Sequence, residues 1–412
     1  MAYKREILTT SIRYLLQHFP IVALLGPRQC GKSTLLKELV GAERVYDLEY
    51  LPHFDRVARN PNFFLENVDD QGTIGIDEAQ EYPPLFQALR YHVDRQRQRN
   101  GQFLITGSSS PDLLKNVSES LAGRVYILEL AGFTLEEAYQ IPPSPVFALL
   151  QNGRPAELLD LQVRYTPNQL LSKCFFGGFP EPFIMAQTDP HAARLWFEAY
   201  FATYINRDIR KLFPNLQFET YRRFVQMIGG ASGEQLVLAR FAEALGVSEP
   251  TVRNYLTIME GTFLYRTLPA YLKNVTKQMT KSPRGYLCDS GLMNFFVQNF
   301  SPDRLVASHY LGAIWEGFVI NELVTGFRNH LILVTACYYR TKARAEIDLI
   351  LEGECGTLPI EIKYASTTHA RDLRVLQTFI ADHKLPYGLL INNADRVARI
   401  APQIIQLPLR FL

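Results

Sequence analysis

The chain has 412 residues, of which 47% are hydrophobic and 20% charged, and 43 Lys and Arg against 41 Asp and Glu leave a net charge of +2. This is an ordinary globular composition with material for two or three domains. It excludes a chain-wide basic field for nucleic acid, though not a basic patch on one domain. The five cysteines, Cys30, Cys174, Cys288, Cys337 and Cys355, are scattered and odd in number without a C-x-x-C, so they indicate neither a disulfide framework nor a zinc site. No signal-peptide h-region stands at Met1–Glu6 and no apolar run reaches membrane-spanning length, so the cytoplasm is the expected location.

The first predicted strand is the apolar run Ile21–Leu25, followed by Gly26-Pro27-Arg28-Gln29-Cys30-Gly31-Lys32-Ser33-Thr34 and a helical stretch from Leu35. The segment fits G-x-x-x-x-G-K-[ST], the nucleotide-binding P-loop. Two glycines let the backbone curl so that its N–H groups face the phosphates of ATP at a helix N-terminus. Lys32 reaches the same phosphates and Ser33 supplies a hydroxyl for Mg²⁺. A second strand is expected at Arg44–Leu48 and a third at Thr73–Glu78, ending in two acids. Paired with the P-loop, Asp77 would hold the Mg²⁺ water shell and Glu78 would polarise the attacking water. The next strand, Gln102–Ser110, ends in small hydroxyl residues. Ser108, with Thr106 second, is the candidate for sensing the γ-phosphate, while Ser109 or Ser110 would cap the following helix. That helix runs to about Leu121 and leads through Ala122-Gly123-Arg124 to the strand Val125–Leu130. Alternation of strand and helix argues for a parallel sheet covered on both faces.

This order of five strands resembles an AAA-type ATPase core. The resemblance implies that Arg124 is an arginine finger reaching a neighbouring subunit's ATP; a surface arginine near a strand start is the plainer alternative. The proline-rich segment Ile141–Pro145 ends the domain, taken as residues 1–140. Helices follow over 141–300, interrupted by a rigid turn at Phe175–Pro182. Tyr204–Ile209 is expected on a helix, with Arg207 a second candidate for touching nucleotide and a solvated Arg207–Asp208 pair the plainer reading. Residues 235–262 carry a helix-turn-helix: Leu238, Phe241, Ala242 and Leu245 form one apolar face, Gly246 breaks the helix, Ser248 caps the next, and Val252, Tyr255, Leu256 and Met259 continue the face. On DNA, Thr251, Arg253 and Asn254 would face a groove; packing on protein alone is the competing reading, and Glu249 with Arg253 is then a plain i,i+4 pair.

In the last domain, 305–412, an amphipathic helix at Trp315–Leu323 precedes strands carrying Glu346-Ile347-Asp348 and Glu361-Ile362-Lys363. With period two, Glu346 and Asp348 share a face, as do Glu361 and Lys363. Such a set suits metal-assisted phosphodiester hydrolysis: Asp348 and Glu361 would bind Mg²⁺, Glu316 would complete the ligands, and Lys363 would orient the attacking water. A cross-strand ion pair on a solvated sheet face is the alternative. If the strand is regular through 340–348, Arg340, Lys342 and Arg344 would guide a phosphate backbone to these acids.

The spacing of Glu316, Glu346-Ile347-Asp348 and Glu361-Ile362-Lys363 resembles the PD-(D/E)xK restriction-endonuclease-like superfamily, with Ile347 where that pattern often has proline. The whole chain resembles a prokaryotic family of AAA-type ATPases with a helix-turn-helix middle and a C-terminal nuclease-like domain. The match takes in Gly26 to Ser33, Asp77-Glu78, Thr106-Gly107-Ser108, Gly123-Arg124, Gly178-Phe179-Pro180-Glu181, Arg207-Asp208 and the C-terminal acids. The expected fold is α/β: a P-loop parallel sheet, a helical or winged-helix middle and an α/β restriction-endonuclease-like end. The expected function is ATP hydrolysis with Mg²⁺ acting on DNA, whether branched, single-stranded or duplex, in a ring or other homo-oligomer. A silent DNA-binding C-terminal domain and a regulatory switch ATPase that binds protein are the alternatives.

Overall fold

The computed structural model describes residues 4–68, 72–108, 119–271, 282–341 and 345–412. The expected helix caps Ser109 and Ser110, and the basic residues Lys342 and Arg344, lie outside them. The chain divides into two compact units, Met1–Gly132 with Thr257–Leu264, and Phe133–Leu256 with Tyr265–Leu412.

The first unit is built on five parallel strands, β1 (Ile21–Gly26), β2 (Val45–Asp47), β3 (Ile74–Asp77), β4 (Phe103–Ser108) and β5 (Val125–Glu129), in the spatial order β2-β3-β4-β1-β5. Every residue of β1 and β3 is buried. A strand covered on both faces needs an uninterrupted apolar run rather than alternation, which is what Ile21–Leu25 supplies. Ile21, Ala23 and Leu25 pack with Ile74, Ile76, Phe86, Leu89, Phe103 and Ile105 in one core. The registers align the C-terminal ends: Gly26 lies beside Ser108, and Asp47 beside Asp77. Loops at that edge of a parallel sheet form the crevice where ligands bind.

The second unit combines helices with a six-stranded mixed sheet: β8 (Val334–Arg340), β9 (Glu346–Gly353), β10 (Gly356–Ile362), β11 (Gly388–Ile391), β12 (Ala398–Ala401) and β13 (Ile404–Gln406), ordered β12-β13-β11-β10-β9-β8. β8, β9 and β10 form an antiparallel meander. The helix Arg374–His383 crosses over to β11, parallel to β10, and packs Leu376, Phe379 and Ile380 against Ile347, Ile350 and Leu390. The helix-turn-helix consists of Leu238–Leu245 and Glu249–Gly261, with Gly246 at φ 68° closing the first helix. Ser248 Oγ accepts the Thr251 N–H at 3.4 Å, the expected cap. A two-stranded antiparallel sheet, β6 (Tyr265–Leu268) and β7 (Arg284–Leu287), follows.

The first compact unit closes at Gly132, a few residues before the expected boundary at 140: Phe133 N–H donates to Gly178 O (2.6 Å) and Leu135 N–H to Glu322 Oε2 (2.9 Å). These bonds build the helix Leu135–Tyr139 into the second unit. Elements from the stretches 141–300 and 305–412 share the second compact unit. A buried Lys173–Glu322 pair at 3.2 Å and the Asn321 amide on Leu287 O (2.9 Å) join their elements. The condition of one regular strand through 340–348 is not met: Arg340 ends β8, Glu346 opens β9 opposite it, and Thr341 N–H donates to Ala345 O at 2.9 Å. Among the described residues no helix is long and apolar enough to cross a membrane.

Candidate functional site

At the C-terminal edge of the parallel sheet, β1 runs into the loop 27–31, and the helix Lys32–Val40 starts on Gly31, in the left-handed region at φ 97°. Gln29 is also left-handed, at φ 62°. A Cβ on Gly26 would meet the Leu130 carbonyl oxygen at 2.1 Å, so only glycine lets β5 approach the loop this closely. The first-turn N–H groups of a helix have no acceptor within it, which makes its start a site for anions. Lys32 is 5% exposed and its Nζ donates to Gly26 O (3.1 Å) and Pro27 O (2.9 Å). Both acceptors are neutral carbonyls, which leaves the ammonium charge for phosphate. Ser33 is half-buried in the first turn and Thr34 exposed. Arg28 reaches Glu49 at 3.7 Å. Cys30 is buried, and burial pushes its thiol up.

Arg5, which carries no motif, holds this loop from beneath. Its guanidinium is 5% exposed and donates to Cys30 O (3.2 Å), Ala131 O (3.2 and 3.1 Å) and Gly132 O (3.1 Å). One side chain thus ties the P-loop to the segment that follows β5.

Asp77 ends β3 and is 2% exposed. Thr106, on the neighbouring β4 and fully buried, donates its hydroxyl to Asp77 Oδ1 and accepts the Glu78 N–H at 3.3 Å. Glu78 stands at φ 52°, a conformation costly for a non-glycine residue, and its carboxylate accepts from Gln80 Nε2 at 2.5 Å. Thr106 therefore fixes the Asp77 carboxylate and the Glu78 main chain, while Gln80 holds the Glu78 carboxylate. The sequence ranked it behind Ser108, whose backbone lies beside Gly26 and whose side chain lies outside the described residues. Gln80 was missed. A polar residue shortly after paired acids is common in turns, so nothing singled it out.

Arg124 is not part of this edge. It precedes β5, at the end of the sheet where Ile21 N–H donates to Arg124 O (3.2 Å). Six residues of strand, about 20 Å at the usual rise per residue, separate it from the loop of its own chain. Its guanidinium grips Asp94, Nε to Oδ1 at 2.7 Å and Nη2 to Oδ2 at 2.8 Å, and caps Ala122 O at 2.7 Å. The hydrogen bond from Arg124 holds the Asp94 carboxyl below the usual range. In the second unit, Arg207 is exposed on the π-helical turn Tyr204–Ile209, and the Asp208 side chain lies outside the described residues.

The C-terminal acids do converge. β9 and β10 pair so that Leu349 faces Ile360, which sets Asp348 opposite Glu361, and Ile362 N–H donates to Asp348 Oδ2 at 2.9 Å. Lys363 Nζ lies 2.6 Å from Glu361 Oε1 and 3.7 Å from Asp348 Oδ2. Glu316, on the helix Leu311–Asn329, accepts from Tyr286 Oη at 2.6 Å. Burial first, with the charge of Asp348 second, pushes the Glu316 and Glu361 carboxyls above the usual range. Sequence reasoning missed Arg284. It enters from β7, lies 3.1 Å from Glu316 Oε1 and 3.7 Å from Asp348 Oδ1, and pairs through Nη2 with Glu346. Glu316, Asp348 and Glu361, the expected Mg²⁺ ligands, are thus brought together, with Arg284 and Lys363 beside their oxygens. Among the described residues no three carboxylate, imidazole or thiolate groups are placed to hold a metal.

The parallel sheet, the P-loop and the acids across its edge define a P-loop ATPase, and the family described as "AAA domain" matches residues 18–139. "Domain of unknown function (DUF8612)" matches residues 168–303 and "Domain of unknown function (DUF4143)" residues 311–412. Over 412 residues the chain is 33% identical to "Uncharacterized protein Rv2008c" of Mycobacterium tuberculosis, covering 99% of this chain and 84% of that protein. The same figures hold for "Uncharacterized protein Mb2031c" of Mycobacterium bovis. The chain belongs to the family of these two mycobacterial proteins. Among solved structures it is similar to the Walker-type ATPase PABY2304 of Pyrococcus abyssi, at 14% identity and a TM-score of 0.39 over 72% of this chain and 96% of that one. Similarity to the RuvB Holliday junction branch migration motor of Thermotoga maritima is at 18% identity and a TM-score of 0.31, over 68% and 96% of the two chains. Likenesses this weak do not bear on function.

Proposed function

We propose that this AAA-type protein hydrolyses ATP at Gly26–Thr34 and that turnover acts on DNA bound by the second unit. The observation that carries the proposal is the Thr106 bridge, which presents Asp77 and Glu78 together at the sheet edge that also holds Lys32 and Ser33. Lys32 and the first-turn N–H groups bind the phosphates. Ser33 and Asp77 are the residues that would hold Mg²⁺, which supplies charge neutralisation on the phosphates. Glu78, steadied by Gln80, orients and deprotonates the attacking water. The donor set fits: an ammonium resting on carbonyls, a half-buried hydroxyl and a buried carboxylate.

For DNA, support comes from the exposed Arg253 and Asn254 at the start of the second helix of the helix-turn-helix, with Thr251 held by Ser248. The restriction-endonuclease-like reading of the C-terminal sheet rests on the placing of Glu316, Asp348, Glu361 and Lys363. With those acids engaged by protein cations, we read that domain as one that binds DNA without cutting it. A homo-oligomer such as a ring would need an arginine offered to a neighbour's ATP, for which Arg124 and Arg207 are the two candidates. The test is the ATPase rate with single-stranded, duplex and branched DNA, with the DNA then run on a gel in Mg²⁺. Stimulation without cleavage is expected. A rate indifferent to every DNA would favour the regulatory switch that binds protein, and cleavage lost in Asp348→Ala would overturn the silent reading.

A further inference from the structure

We infer that Arg284 is the resident cation of the C-terminal acidic cluster, its guanidinium filling the place a divalent ion would take. The inference does not depend on ATP or DNA. Arg284 opens β7, and its side chain is 11% exposed. It is brought there by main-chain pairing on two sides: Leu268 of β6 faces it, and Gln235 bridges it from the other flank. From that fixed point its two terminal nitrogens are shared among three carboxylates, Glu316, Glu346 and Asp348. The guanidinium also lies 5.4 Å from the centre of the Tyr338 ring, a cation–π distance.

Each carboxylate a metal would need already faces a protein cation or donor through at least one oxygen. Asp348 Oδ1 faces Arg284, while its Oδ2 accepts the Ile362 N–H at 2.9 Å and lies 3.7 Å from Lys363 Nζ. Glu316 Oε1 takes both Arg284 and the Tyr286 hydroxyl. Glu361 Oε1 takes Lys363, and Glu346 Oε1 takes Arg340 Nε at 2.7 Å. Four carboxyls, Glu316, Glu346, Asp348 and Glu361, thus meet three fixed cations, Arg284, Arg340 and Lys363. A divalent ion would have to displace a buried guanidinium whose planar fork already matches the carboxylates. Removing that guanidinium leaves uncompensated buried carboxylates, the condition that draws a divalent ion. Arg284 thus does what a metal does in such a cluster: it binds the β6–β7 sheet, the helix Leu311–Asn329 and strand β9 together.

Mn²⁺ binding to the full, nucleotide-free chain, followed by electron paramagnetic resonance, tests this. The native protein should bind no Mn²⁺ that Asp348→Asn removes. Arg284→Gln should acquire a site that is lost again when Asp348→Asn is added, and Arg284→Lys, which keeps the charge, should not. Circular dichroism establishes which variants fold. Mn²⁺ bound by the native chain and lost in Asp348→Asn would overturn the inference, and so would a folded Arg284→Gln protein that binds no more than the native chain. Should Arg284→Gln fail to fold, the native protein against Asp348→Asn decides alone.

Discussion

Thr106→Val probes the link between the two Walker acids with almost no change in volume. The substitution exchanges one hydroxyl for a methyl of similar size in a fully buried site, so the loss is chiefly one of polar contacts. The hydroxyl donates to Asp77 Oδ1, a bond to a charged acceptor worth about 1.5–3 kcal/mol, and it accepts the longer Glu78 N–H contact. Valine leaves the buried Asp77 carboxylate short of a donor. The first unit should lose roughly 2–3 kcal/mol, and its melting midpoint should fall by about 5–10 °C. Because the same hydroxyl aims Asp77 and holds the Glu78 main chain, kcat should fall about ten- to a hundred-fold while the nucleotide Kd changes far less. Steady-state ATPase kinetics and nucleotide titration read the two effects, and Thr106→Ser, which keeps the hydroxyl, should restore most of kcat. A Thr106→Val protein with native kcat and midpoint would refute the reasoning.

Arg5→Met removes the guanidinium from the carbonyls of Cys30, Ala131 and Gly132 and should cost about 3 kcal/mol of stability. It should also weaken ATP binding, and an unchanged Kd by titration would show that the clamp does not order the loop. Glu136 is buried, accepts the Ser144 N–H and lies 3.4 Å from Arg164, yet burial pushes its carboxyl up to about 7 from 4.5. The folded state therefore holds a proton that the unfolded chain releases. Its contribution is fully present below pH 4.5, falls as pH rises toward 7 and is lost above, about 3 kcal/mol in all. Glu136→Gln should raise the melting temperature at pH 8 and leave it nearly unchanged near pH 4.5; an offset equal at both pH values would contradict the assignment.

The nucleotide edge was legible in the sequence because each part is local. A P-loop is one continuous segment, and a strand buried on both faces announces itself as an apolar run ending in Gly26, Asp77 or Ser108. Thr106 was legible only as a second choice, since which hydroxyl meets Asp77 depends on the pairing of β3 with β4. Arg5 and Arg284 were not legible at all. Arg284 meets Glu346 across 62 residues, and no period or spacing rule connects them. Parity alone does not tell one strand through 340–348 from two, and the pairing of Arg340 with Glu346 decides for two.

The most direct measurement is ATP turnover by the native chain beside Lys32→Ala and Glu78→Gln, with nucleotide binding measured on all three. Turnover by the native protein, no binding in Lys32→Ala, and binding without turnover in Glu78→Gln are the results predicted here. Native turnover in the Glu78→Gln protein, or ATP binding retained in Lys32→Ala, would contradict the account.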